Sequence, residues 1–254
     1  MFSKVQGKWN ESEIGNSESN GFFLNSYINQ SITIMKKHLL LLGIILCSIT
    51  SSFSQGCQNY SFYLVDNHIA GDGTRSSEIY NVLVDEGSQT AELTEIYSLD
   101  KTVHIGFNEE TQVLYAVCSQ TGGVFAFDIA TLAPPVLIGT MSSGFGFVEV
   151  VYDGAGGLIL GNEVTDEVYH FDIATGVETF LMTADIHGGD LCITQSDVTL
   201  MFTRNNGGEI VDLSNGQTVI GTTPNWTTGA ALMNNGQILV SVRFENEFVV
   251  RNED

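Results

Sequence analysis

Basic residues are scarce: 9 Lys and Arg stand against 30 Asp and Glu in 254 residues, a formal charge of −21. A field of that sign repels nucleic-acid phosphates and anionic lipid, so neither is an expected partner. Cysteine is equally sparse, at 4. No Cys-x-x-Cys pair or Cys/His cluster is present, which excludes the usual zinc-stapled modules. With only 3 Pro the chain is no polyproline spacer or collagen. The familiar catalytic signatures are missing too: no Gly-x-Ser-x-Gly, no His-Glu-x-x-His, no phosphate-binding Gly-Lys-Ser/Thr loop. Beyond residue 55 no segment sustains a 3.6-residue apolar period, so a helical domain is not expected.

What is present is an apolar, glycine-rich chain, 43% hydrophobic with 27 Gly, ample for a core. Met35-Lys36-Lys37-His38 is a short basic stretch, Leu39 to Cys47 is continuously apolar, and Ser48 to Gln55 is small and polar. That order is the one of a secretory signal peptide over 35–54. Ser52 and Ser54 sit at the −3 and −1 positions of a cut between Ser54 and Gln55. The apolar core is shorter than the roughly 20 residues that span a bilayer, so no transmembrane segment is expected in the mature chain. Residues 1–34 read as an upstream mis-start or a disordered extension. The expected address is therefore outside the cytoplasm: extracellular, cell-surface or periplasmic. A lipid anchor at Cys57 fits less well, because Ser54 stands where a lipobox wants an apolar residue. From Gln55 onward there are 27 acidic and 5 basic residues, so the mature domain over 55–254 is still more acidic in proportion. Mature Cys57, Cys118 and Cys192 are odd in number and read best as buried free thiols.

The organising feature is an internal repeat. Val124-Phe125-Ala126-Phe127-Asp128-Ile129-Ala130-Thr131 returns 44 residues later as Val168-Tyr169-His170-Phe171-Asp172-Ile173-Ala174-Thr175. Glu209-Ile210-Val211-Asp212-Leu213-Ser214-Asn215-Gly216 is a weaker third copy, and Ile79 to Val82 and Glu247 to Val250 keep the step on either side. A second series, Leu114 to Ala116, Leu158 to Leu160, Leu200 to Phe202 and Ile238 to Val240, runs in phase with it, each after a polar turn. Short runs of Val, Ile, Phe and Tyr between Gly/Asn/Asp turns are strands. In the third repeat the expected strands are Val148–Tyr152, Leu158–Asn162, Glu167–Asp172 and Glu178–Met182. Asp172 to Gly176 suits a tight turn, with the Asp bonding its own backbone and the Gly taking positive φ. Four strands per 40–45 residues is the arithmetic of a β-propeller blade, so the expected fold is all-β, with about five antiparallel four-stranded repeats.

The string Val/Ile-Tyr-x-Phe-Asp-x-x-Thr-Gly, an apolar strand, and a fresh Asn/Asp-Gly turn resembles YVTN-type and related bacterial secreted propeller repeats over most of residues 58–254. The resemblance implies blade architecture and leaves the chemistry open, because such repeats serve scaffolds, binders and enzymes alike.

Aligned by strand, the first repeat begins at Ser61 to Val65 in the place of a second strand, and the last ends after its third. The expectation is an incomplete propeller, of six or seven blades when whole, with open edge strands that invite self-association. Any site falls on the face where the loops from strand 4 to the next strand 1 and from strand 2 to strand 3 converge. Those loops and strand ends carry Glu149, Asn162, His187, Asp190, Arg204 and Trp226, the candidate ligand-binding residues. The expected function is a non-enzymatic binding module for a protein or carbohydrate partner, needing no cofactor. Glu149, Asn162 and Asp190 also offer the oxygen donors that Ca²⁺ takes, which makes a calcium-dependent hydrolase the alternative. Those three are similar to lactonase-type propeller ligands in residue type only. The segment Asp66 to Ser77 is expected to be the longest loop and a cover over that face.

Overall fold

The computed structural model describes residues 3–5, 59–85, 88, 90–186, 189–203, 208–223, 227–233, 236–242 and 247–251. Every regular element among them is a β-strand. After β1 (Ser3–Val5), the strands β2 (Asn59–Ile69), β3 (Arg75–Asp85) and β4 (Thr90–Leu99) form a three-stranded antiparallel sheet. The second sheet is β5 (Val103–Asn108), β6 (Val113–Cys118), β7 (Gly123–Asp128) and β8 (Val136–Thr140). The third is β9 (Phe147–Tyr152), β10 (Gly157–Asn162), β11 (Glu167–Asp172) and β12 (Glu178–Thr183). The fourth is β13 (Asp190–Ile193), β14 (Thr199–Phe202), β15 (Glu209–Asp212) and β16 (Thr218–Thr222). The fifth is β17 (Thr227–Leu232), β18 (Ile238–Val242), β19 (Glu247–Arg251) and, outermost, β1.

The first four sheets, and β17 to β19 of the fifth, are simple meanders because their connections are too short for anything but antiparallel neighbours. The repeat's Asp fixes one of these turns in three successive sheets. Asp128 Oδ1 accepts from the N–H groups of Ala130 and Thr131, Asp172 Oδ1 from Thr175, and Asp212 Oδ1 from Ser214 and Asn215. These bonds favour the ionised form of Asp172, whose carboxyl is held below its ordinary range chiefly by Thr175.

The middle strands are apolar on both faces, and this dictates how the sheets stack. In β10, Leu158 and Leu160 join a cluster with Tyr115, Val117, Val124 and Phe147 from the second and third sheets. Their neighbour Ile159 faces the other way, toward Leu191, Met201 and Val211 of the fourth. A strand buried on both sides reads as a continuous apolar run rather than as an alternation. Further layers join the first sheet to the second (Ile79, Leu114, Phe127) and the fourth to the fifth (Cys192, Leu200, Phe202, Val240). Phe127, Phe147, Phe171 and Phe202 are among the largest fully buried side chains, each contributing about 1.5–3 kcal/mol. Met233 and Leu239 of the fifth sheet region pack against Phe62 of β2, so the last sheet meets the first. The innermost strands β2, β5, β9, β13 and β17 then line one axial cavity. Sheets standing radially around a central channel make a β-propeller.

Three expectations need correction. The strand around Ser61 to Val65 occupies the first place in its sheet, not the second: β2 pairs only with β3, and Phe62 to Val65 line the cavity. The shortfall is thus the outermost strand of the first sheet. Asp66 to Ser77 is not a cover loop. β2 and β3 extend through it as a hairpin of two 11-residue strands closed by a short turn, with Ala70 N–H bonded to Thr74 O and Thr74 N–H to Asp72 Oδ1. Buried Ser77 ties the hairpin down by donating to Asn67 Oδ1 and accepting from the Val103 N–H. The fourth place in the last sheet, expected to be empty, is taken by Ser3–Val5, in register with Phe248 to Val250.

Cys118, a free thiol, and Cys192 are both buried, each in a layer between sheets. Among the described residues no helix is long and apolar enough to cross a membrane.

Candidate functional site

Glu149 and Asp190 sit on the innermost strands β9 and β13 of consecutive sheets. Glu149 is 1% exposed and neither carboxyl oxygen has a hydrogen-bond partner. Its seat depends on Gly161 across the β9–β10 pair: a Cβ there would lie 2.8 Å from Glu149 Oε2 and 3.2 Å from Ile186 Cγ2. Burial pushes the Glu149 carboxyl well above the ordinary carboxylate range, and the like charge of Asp190 adds to that rise; the nearby Gly189 N–H, which falls short of hydrogen-bond geometry, opposes it only in part.

Asp190 is partly buried and better supported. Its Oδ1 accepts from the Leu191 N–H at 2.9 Å and its Oδ2 from the Ala230 N–H at 2.6 Å, which staples β13 to β17. Desolvation nonetheless outweighs both bonds and lifts its pKa from 3.8 to about 7. Two interacting carboxyls, both with raised pKa, make this stretch of the interior a candidate site.

Asn162 is fully buried but faces its own loop. Its Nδ2 donates to Phe145 O, and its Oδ1 accepts from the Val164 and Thr165 N–H groups. Both lone pairs of the amide oxygen are thereby spent on the β10–β11 turn. Among the described residues no three His, Cys, Asp or Glu converge closely enough to hold a metal. The calcium-dependent alternative is accordingly not favoured. His187, Arg204 and Trp226 lie outside the described residues.

The work of Asn162 has a visible product. It holds the β8–β9 loop against the β10–β11 turn, and two large apolar side chains stand out there, Phe145 at 60% and Val164 at 57% exposed. Gly146 N–H bonds to Ser119 O and Glu163 N–H to Gly146 O, which fix the same loop to both of its neighbours. The patch is a rigid feature of the face on which the sites were expected.

The axial cavity has a volume of about 140 Å³ and is lined by Phe62, Tyr63, His104, Asp190, Thr228 and Ser241 among others. Desolvation lowers the His104 pKa to about 4, so its imidazole is neutral at physiological pH. Burial raises the Tyr63 phenol above its ordinary value, so it too is uncharged. Sequence reasoning placed no role on Phe62, Tyr63 or His104. The signal that finds them is position, since each lies on an innermost strand; for Phe62 and Tyr63 the placing of Ser61 to Val65 as a second strand hides it.

No family model matches the sequence, and no curated protein matches it. Solved structures do. A structural-genomics protein of unknown function from Bacteroides thetaiotaomicron aligns at a TM-score of 0.51 with 11% identity, covering 73% of this chain. This chain spans 58% of that protein's length. A chain of a nidogen–laminin complex aligns at a TM-score of 0.50, also with 11% identity, covering 72% of this chain and 73% of that one. What they share is the fold. At that identity the likeness speaks for the β-propeller and for nothing finer.

Proposed function

We propose that this chain is a secreted or cell-surface β-propeller of YVTN-like type that binds a protein or glycan partner through its loop face. The observation that carries the reading is the Phe145/Val164 patch: two exposed apolar side chains held rigidly by a fully buried Asn162. Buried polar side chains normally serve a core or a turn, and here the turn presents apolar surface to solvent. Export follows from the basic–apolar–polar order of residues 35–55.

The test of binding is capture. The purified chain is probed against glycan and extracellular-protein arrays, beside the double variant Phe145→Ser/Val164→Ser. A partner retained by the native chain and lost by the variant supports the reading; equal retention defeats it. Export is tested by N-terminal sequencing of the protein recovered outside the cytoplasm, with Gln55 expected first. Removal of the preceding residues would uncover the place beside β19 that Ser3–Val5 fills. Among the described residues no strand pairs with the outer edge of β4 either, because the first sheet has three strands there. We therefore expect the exported form to self-associate by edge pairing, with sedimentation equilibrium as the check.

A further inference from the structure

The Phe145/Val164 patch is braced from several sides and stands in a field of one sign. Phe145 lies between Gly144 and Gly146, both at positive φ (90° and 99°), a backbone path that leaves its ring 60% exposed. A Cβ at Gly146 would stand 2.6 Å from Val164 Cγ2, so Val164 lies directly over Gly146, the residue that follows Phe145. Glu178 holds the start of the same loop, accepting from the hydroxyls of Ser142 and Ser143 at 2.8 and 2.7 Å. From Thr102 to Thr203 the chain has 13 Asp and Glu and no Lys or Arg. That stretch supplies the whole of the second and third sheets. Glu163 is exposed immediately before Val164, Glu167 opens the next strand, and Asp166 between them has one carboxyl oxygen buried without a partner. No Lys or Arg of these two sheets can neutralise them, because the sheets have none.

We propose that this patch docks a cationic segment of a partner protein, which sets an apolar side chain against Phe145 and Val164 and a lysine or arginine beside Glu163. Such docking rests on the loop-face reading and narrows its partner from protein or glycan to protein of one charge. Apolar side chains on a rigid support lose little conformational entropy when covered, so Phe145 and Val164 supply the affinity. The carboxylates around them steer a positive partner in and turn an acidic one away. A neutral glycan gains nothing from that field. Another copy of this chain is a poor occupant, because two faces of the same sign repel when they meet. The exposed pair Val136 and Leu137 lies in the same stretch without Lys or Arg, but on strand β8 rather than in the braced loop, and so serves as a control.

The test is fluorescence anisotropy of the full chain with a short labelled peptide in which lysine alternates with leucine and phenylalanine. Counterparts carry glutamine or glutamate in place of lysine. The expected result is saturable binding of the lysine peptide, weakened by added NaCl, and none of the glutamate peptide. Phe145→Ser/Val164→Ser lowers the affinity by about tenfold or more, the loss of two covered apolar side chains. Glu163→Lys lowers it by about fivefold, the reversal of one exposed charge. Val136→Ser/Leu137→Ser leaves it unchanged. All of these side chains are exposed, so each variant keeps the native fold, which circular dichroism checks. Equal binding of the glutamine peptide, binding indifferent to the loop variant or to Glu163→Lys, or no binding by the native chain overturns the proposal. A neutral glycan or an acidic protein retained through Phe145 and Val164, with the lysine peptide ignored, overturns it too while the loop-face reading stands.

Discussion

The carboxyl of Asp190 makes folding stability depend on pH, and the dependence can be isolated with one substitution. Its pKa is 3.8 in an ordinary setting and about 7 in the folded chain. A carboxyl with a raised folded pKa holds more protons folded than unfolded, so stability falls as pH climbs from about 4 through about 7, then levels. Between pH 5 and 8 the fall amounts to about 2.7 kcal/mol if the full rise is expressed. Because Asp190 is only partly buried, solvent screening reduces this to roughly 1.5 kcal/mol. His104 acts in the opposite direction over part of the range. Its folded pKa of about 4 lies below its ordinary 6.5, so its contribution rises with pH and is complete near pH 6.5. The two nearly cancel in the native profile, and the informative quantity is the difference between native chain and Asp190→Asn, which reports Asp190 together with the part of the Glu149 rise that its charge supplies. Asparagine keeps one acceptor for the Leu191 and Ala230 N–H groups and loses the other, so the variant is the less stable protein at pH 5. By pH 8 it should regain about 1.5 kcal/mol relative to native, a shift of roughly 0.5–0.8 M in urea midpoint at the slope of about 2–3 kcal/mol/M that suits a chain of this size. Urea unfolding at pH 5, 6, 7 and 8 measures it. A midpoint difference that stays constant from pH 5 to 8 would refute the assignment of a raised pKa to Asp190.

Three further outcomes follow from the packing. A Cβ at Gly157 would stand 2.0 Å from His170 Nε2 and 2.5 Å from Asp153 Oδ2, which are themselves 2.9 Å apart. Gly157→Ala is therefore expected to cost about 1–3 kcal/mol, and His170→Ala in the same chain to restore most of it; chemical denaturation of the single and double variants checks this. Phe171 is fully buried between the second and third sheets, so Phe171→Ala should cost about 3–5 kcal/mol by thermal or urea unfolding. At the junction of last sheet and first, Phe62 packs, among the described residues, on Met233 and Leu239. Phe62→Ala should consequently raise amide exchange in β2 and β17 well before it does in β6 and β10; uniform exchange across all four strands would show that the ring does not open there.

Much of this architecture is written locally. Strands β9 to β12 fall where the apolar runs place them, and β11 has the expected bounds, Glu167–Asp172. Asp128, Asp172 and Asp212 turn the chain by bonding backbone two or three residues away, so their role needs no knowledge of the fold. The apolar character of both faces of Leu158 to Leu160 already demands a sheet on either side. Contacts across tens of residues are different. Alignment to the repeat put Ser61 to Val65 in the second place of its sheet, because nothing local distinguishes an inner strand from its neighbour; only pairing with β3 and exposure to the channel decide it.

The same division holds for the site. That Glu149 and Asp190 belong to comparable places on adjacent sheets follows from the 40–45-residue period. That one is sealed without a partner, while the other is stapled to Ala230 and opens to a cavity, depends on where β13 and β17 pack. Asn162 shows the limit most plainly. As a residue type beside two carboxylates it reads as a metal ligand, but its amide is used within the loop, where it holds Phe145 and Val164 in the open. Scarce basic residues, an acidic field and a repeated strand pattern are properties of the chain. The cavity, its single supported carboxylate and its neutral histidine exist only once five sheets close around an axis, since burial and proximity arise from tertiary packing.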